Sequence, residues 1–120
     1  MIRIIVNDIP PSNNAYMGNS HSFRAYNAKK QEWHWLIKAA IQSRPKTPYK
    51  CAEVRIIYYF PDGRRRDPDN YSGKFILDAL VKERLIIDDS FDVINLKLNK
   101  GGVDKGNPRT IIEIEEMKQC

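Results

Sequence analysis

The sequence predicts a small α+β domain, two helices packed against one mixed β-sheet in the order β-α-β-α-β-β. Three observations carry this. Runs rich in β-branched and aromatic residues at 2–8, 53–60, 92–99 and 110–116 have strand character. Apolar residues recur at helical spacing across 27–43 and 67–84. The two kinds of segment alternate until the last two extended runs, which a glycine-containing loop joins as a hairpin. With 120 residues, the span 1–120 is read as one domain with a single core.

The first strand stops at Pro10-Pro11, since proline cannot donate to a sheet ladder. Residues 10–26 are turn-rich and polar, and a loop is expected there; loops of this length in compact domains are commonly functional. Asn27 has N-cap character, and Trp33, Leu36, Ile37, Ala40 and Ile41 follow with helical periodicity. Trp33 and Trp35 fall on nearly opposite sides of that helix, one inward and one outward. Arg44-Pro45-Lys46-Thr47-Pro48 closes it, because a residue before proline avoids the helical region. Val54, Ile56, Tyr58 and Phe60 alternate with Glu53, Arg55, Ile57 and Tyr59, a strand buried largely on both faces. Asp67-Pro68 carries the N-cap and first-turn signature of the second helix, whose apolar stripe is Phe75, Ile76, Ala79 and Leu80. Gly101-Gly102 through Gly106-Asn107-Pro108 form the last loop.

Composition excludes several classes. No apolar run approaches the roughly 18–20 residues of a membrane span, and the first residues lack the long apolar stretch of a signal peptide. Cys51 and Cys120 make neither a metal spacing nor a disulfide framework, so the chain reads as cytoplasmic and reduced. The net charge of +5 is unevenly placed. Residues 44–66 carry seven basic side chains against two acidic, and residues 67–92 carry seven acidic against three basic. A positive block joined to a negative one suits phosphate backbone on one side and a cation on the other.

The densest chemistry lies in Arg64-Arg65-Arg66-Asp67-Pro68-Asp69-Asn70 and in Ile87-Asp88-Asp89. Gathered carboxylates repel unless something positive sits among them, and hard divalent cations such as Mg²⁺ prefer oxygen ligands. Guanidinium matches phosphate oxygens two at a time, so the arginines point to a phosphate substrate. Together these indicate metal-dependent cleavage of a nucleic-acid backbone. Each residue also has a plain role: Asp67 as a cap, Asp69 as a first-turn acid favoured by the helix dipole, Asp88 and Asp89 as a turn. Lys74 stands four residues before Asp78, the spacing of an intrahelical pair, or else it serves the phosphate. The two carboxylate pairs meet at one edge of the sheet if the third strand returns beside the second.

Pro10-Pro11-Ser12-Asn13-Asn14, the Arg-Arg-Arg-Asp-x-Asp-Asn run at 64–70, Lys74, Asp78-Ala79-Leu80 and Ile87-Asp88-Asp89 together resemble the RusA family of Holliday junction resolvases, in order and over nearly the whole chain. The resemblance implies a homodimeric, Mg²⁺-dependent endodeoxyribonuclease, with Mn²⁺ able to substitute, that nicks two opposing strands of four-way junction DNA in recombination and repair. It implies catalytic roles for Asp67, Asp69, Lys74 and Asp89, and metal ligation by Asp67, Asp69 and Asp89, with Asp88 an additional candidate. Arg64, Arg65 and Arg66 are the candidate DNA contacts, with Phe23, Arg24, Lys100 and Lys105 as further ones; Lys97 and Arg109 flank the last hairpin. The interval from Asp69 to Lys74 is one residue longer than in the best-known resolvase, and Gly73 occupies it. Tyr16, His21, Phe23, Arg24 and Tyr26 offer stacking surfaces for bases at the crossover. The apolar strand at 54–60 and the first helix are candidate dimer surfaces. The alternatives are a general metal-dependent nuclease and a non-catalytic DNA-binding module. An HNH site is not formed by His21 and His34, and neither 113–116 nor Asp104-Lys105 supplies a convincing acid-x-Lys nuclease motif.

Overall fold

The structure, a computed structural model, describes residues 1–13 and 22–118. The chain runs β1 (Ile2–Val6), α1 (Ser22–Ala40), β2 (Ala52–Phe60), a 3-10 turn (Pro68–Asn70), α2 (Lys74–Lys82), β3 (Ile94–Val103) and β4 (Arg109–Glu116). This is the predicted order. The four strands form one sheet in the order β1-β4-β2-β3, with β2 and β3 parallel and the other pairs antiparallel.

Alternation decides which side of each strand is core. Ile2, Ile4 and Val6 of β1, Val54, Ile56, Tyr58 and Phe60 of β2, and Ile112 and Ile114 of β4 are all buried in one cluster. The helices cover this face with Trp33 and Ile37 of α1 and Ile76, Ala79 and Leu80 of α2. The opposite side of β2 is half-buried and charged: Arg55 pairs with Glu113 at 3.3 Å and Lys97 with Glu53 at 2.9 Å. The first of those joins β2 to β4, the second β3 to β2.

Three boundaries depart from the sequence reading. Helix α1 begins at Ser22, not Asn27, so Phe23, Arg24 and Tyr26 lie on a helix instead of in a loop. The gain that overrides local turn propensity is tertiary: the Tyr26 ring packs on Phe75 of α2, centroids 5.0 Å apart. Strand β3 continues through Gly101 and Gly102, with a register shift opposite Tyr58 and Tyr59, so the hairpin turn shrinks to 104–108. Asp67-Pro68 opens only the 3-10 turn; α2 starts at Lys74, with Gly73 at its N-cap in the left-handed region, φ 81°.

Strand β2 is hydrogen-bonded on both sides, by β4 and by β3, and so is not a free edge for pairing with a second copy. Trp33 is buried and Trp35 exposed, as their helical positions predict. Cys51 is disulfide-bonded, against the expectation of a reduced chain; Tyr16, His21 and Cys120 lie outside the described residues. No helix among the described residues is long and apolar enough to cross a membrane.

Candidate active site

The segment after β2 forms a tethered turn. Arg66 folds back, donating to the Asp62 and Arg64 carbonyls at 2.9 and 3.1 Å and pairing with the Asp62 carboxylate at 2.9 Å. Its guanidinium also lies over the Phe60 ring, 4.4 Å from the centroid. The Arg64 amide, foremost, and the Arg66 side chain hold the Asp62 carboxyl below its usual value, although partial burial acts the other way. Arg66 is consequently only 15% exposed, whereas Arg64 and Arg65 are 84% and 88% exposed.

Asp67 sits at the N-cap position of the 3-10 turn, but its side chain makes no cap hydrogen bond. Its carboxylate is half exposed and accepts from Arg65 Nε at 3.2 Å. Asp69, two residues on, is exposed in the same turn. The turn is pinned from below by Asn13, whose side-chain amide donates to the Asp69 carbonyl at 2.8 Å and to Ser72 Oγ at 3.1 Å. Tyr58 adds a second anchor, donating its phenol to the Tyr71 carbonyl at 2.9 Å. Burial, with Tyr71 contributing, pushes the Tyr58 phenol well up, so it stays protonated and keeps donating. The roles of Asn13 and Tyr58 escaped the sequence reading; the Pro-Pro-Ser-Asn-Asn motif was the available signal for the first.

Lys74 opens α2 on the same side, exposed, and shares the wall of a hollow with Pro11, Asn13, Asn70 and Ser72. The intrahelical pair with Asp78 does not form. Asp78 is taken by Lys82 at 3.1 Å and Lys30 at 3.6 Å, and the Lys74 ammonium lies 5.4 Å from the Tyr26 ring centroid. Gly73 explains how the longer interval is accommodated. Its positive φ turns the chain into α2, and a Cβ there would overlap Ile56 Cδ1.

The remaining acids are elsewhere. Asp88 and Asp89 are exposed in the loop that precedes β3. That loop lies at the start of β2, because Tyr49 bridges Ile86 and the Ala52 amide donates to the Val93 carbonyl. Asp67 and Asp69 lie past the end of β2, and β2 and β3 run parallel with Ala52 opposite Ile94 and Phe60 opposite Val103. The two carboxylate pairs therefore lie toward opposite ends of the sheet. Convergence at one edge within a single copy is overturned, and no group of three or more metal-ligating acidic, His or Cys side chains occurs among the described residues.

Among the other basic candidates, Lys100 of β3 and Lys105 of the β3–β4 turn are exposed at the Asp67 end, and Lys100 shares a pocket wall with Asp67. Lys97 is committed to Glu53, and Arg109 to Asp104 at 2.8 Å and to the Tyr59 ring at 4.0 Å. Phe23 is 76% exposed on the first turn of α1, with Arg24 beside it.

Comparison with known proteins settles the family. The family model described as endodeoxyribonuclease RusA matches residues 8–115. The chain belongs to the RusA family. It is accordingly an endodeoxyribonuclease, a hydrolase acting on DNA. The crossover junction endodeoxyribonuclease RusA of Escherichia coli (strain K12) is 34% identical over 102 residues, covering 78% of this chain and 82% of that relative. The protein of the same name from Shigella sonnei (strain Ss046) matches to the same extent. The RusA match spans both carboxylate pairs, Lys74 and Asn13.

Proposed function

We propose that this protein resolves four-way (Holliday) DNA junctions by paired nicks, in recombination and repair, using Mg²⁺ held by Asp67, Asp69 and Asp89, with Asp88 as an additional ligand. The observation that carries the proposal is local. Two outward carboxylates, neither used as a cap, stand between two exposed arginines and the lysine that opens α2, in a chain of an endodeoxyribonuclease family. Carboxylate oxygens are the donor type that a hard cation takes. One copy supplies an incomplete set at either end of the sheet, so two copies related by a two-fold axis assemble each centre, Asp67 and Asp69 from one and Asp89 from the other. Two such centres give the two symmetric nicks that resolution of a four-way junction requires.

A divalent cation bound there supplies a water of lowered pKa and offsets charge on the scissile phosphate. Arg64 and Arg65 hold backbone phosphates on either side, a sequence-independent contact that fixes register. Arg66, oriented by Asp62 and Phe60, presents the remainder of its guanidinium to the same backbone. The Lys74 ammonium stabilises charge developing on the phosphoryl oxygens. Asn13 and Tyr58 hold the Asp69–Ser72 turn so that both aspartates keep their spacing.

Labelled four-way junction and linear duplex, each with Mg²⁺ or with EDTA, provide the test. Metal-dependent paired nicks in the junction, with the duplex intact, support the reading. Junction binding without cleavage identifies a DNA-binding module, and degradation of the duplex a general nuclease.

A further inference from the structure

Two features of the surface are unexplained by the site alone. The first is Phe91, whose side chain is 103% exposed. A single exposed apolar residue is ordinary, but this one stands at the tip of a pinned turn among acids. The Val93 and Ile94 amides both donate to the Ser90 carbonyl at 3.0 Å, and Asp88, Asp89 and Asp92 flank the ring in sequence. Ile87, 50% exposed, adds apolar area to the same loop. The second feature is a cavity of about 60 Å³ at the opposite end of the sheet. Tyr58, Phe60, Tyr71 and Leu98 form its apolar wall, and Arg66, Asp67 and Lys100 contribute charged groups to the lining. Tyr71 stands edge-on to Tyr58 and Phe60, at 5.8 and 5.2 Å between centroids.

We infer that Phe91 of one copy seats in the aromatic pocket beside Asp67 of a second copy, and so delivers Asp89 to that copy's Asp67 and Asp69. The inference rests on the two-copy centre proposed above and names the contact that builds it. Chemistry agrees: an aromatic anchor packing on an apolar, aromatic wall is the usual energetic centre of an interface. Charge agrees too, since an acidic loop approaches a rim carrying Arg66 and Lys100, with Arg64 and Arg65 just outside. Reach is also satisfied. One residue, Ser90, separates Phe91 from Asp89, so their Cα atoms are at most about 7 Å apart, and the pocket wall includes Asp67 itself. Because the loop and the pocket lie at opposite ends of one sheet, two antiparallel copies exchange them twice, and the dimer closes.

The contact is tested on the full chain without DNA, by sedimentation equilibrium of wild type and Phe91→Ala. The expected result is a dimer dissociation constant raised about tenfold or more. A photoreactive benzoylphenylalanine placed at position 91 should, on irradiation, cross-link to residues 58–71 or 98–100 of a second copy, mapped by mass spectrometry. An unchanged dissociation constant for Phe91→Ala, or cross-links confined to the Trp35 face of α1, overturns the inference while leaving a two-copy centre in place. Cross-linking to added junction DNA without weakening of the dimer overturns it as well, by assigning Phe91 to the substrate. A wild-type chain that stays monomeric while cleaving junctions overturns the two-copy centre, and the contact with it.

Discussion

At Asp67 the backbone takes the extended angles of an N-cap, φ −103° and ψ 143°, yet the carboxylate turns away from the helix amides. A cap aspartate can be replaced by asparagine at small cost, because both accept from backbone N–H groups; a metal ligand loses its charge. Asp67→Asn is therefore expected to fold and bind junction DNA like wild type while cleavage falls by at least about a hundredfold, read from gel-shift and nicking assays on one preparation. Near-normal nicking would remove Asp67 from the ligand set. The neighbouring arginines divide by exposure. Loss of Arg64 or Arg65 should lower the salt dependence of junction affinity by roughly one unit of log–log slope each. Arg66→Ala should raise the junction dissociation constant and also loosen the 62–66 turn, since Asp62 then loses its partner. At Gly73 any side chain meets both positive φ and Ile56. Gly73→Ala should cost about 1–3 kcal/mol in urea denaturation, and a neutral result would show that the turn into α2 can relax.

Among the elements, α2 does the positioning. It starts beside the Asp67–Asn70 turn and ends near the Asp88–Asp89 loop, so its stability holds both acidic segments in place. Its C-terminal end is fastened to α1 and the following segment by Glu83. That carboxylate accepts from His34 Nε2 at 2.6 Å and from Arg44 at 2.8 Å, and Arg44 also donates to the Glu83 carbonyl at 2.8 Å. Burial alone would raise the Glu83 carboxyl, but Arg44 and His34 outweigh it and hold it below its ordinary value. A depressed folded-state pKa stabilises above the unfolded value, and that contribution disappears as pH falls through the folded one. Glu83→Gln should thus destabilise by about 1–3 kcal/mol at pH 7. The gap between variant and wild type should close in denaturation curves taken below about pH 4. A gap independent of pH would mean that packing, not charge, fastens this end. The helix stripe Phe75, Ile76, Ala79 and Leu80 was legible from periodicity; the start at Lys74 was not. Asp67-Pro68 has the same signature whether it opens an α-helix or a single 3-10 turn, and the decision falls to Gly73 packing against Ile56.

Across the whole molecule, the parallel pairing of β2 and β3 separates the carboxylates, and the proposed two-copy centre makes a distinctive forecast. Asp67→Asn and Asp89→Asn homodimers should each be inert. Mixed and allowed to exchange subunits, they should regain nicking of single strands, because one of the two centres in a heterodimer then combines an intact Asp67 with an intact Asp89. If each copy held a complete centre, the mixture would stay as inert as its parts. Junction nicking assays before and after subunit exchange distinguish the two cases.

The sequence by itself determined the element order, the apolar stripes of both helices and the residue types of the site, since each follows from local periodicity or from chemistry carried by neighbouring residues; the strand at 53–60, read as buried on both faces, keeps only one face in the core. The placement of Arg64, Arg65, Asp67 and Asp69 in one turn is likewise local and was readable. The tertiary structure alone decided where Asp88 and Asp89 lie relative to them. Chain spacing leaves open whether the strand after α2 runs parallel or antiparallel to β2. Parallel pairing, set by Ala52 opposite Ile94, carries the second acidic pair to the far end of the sheet.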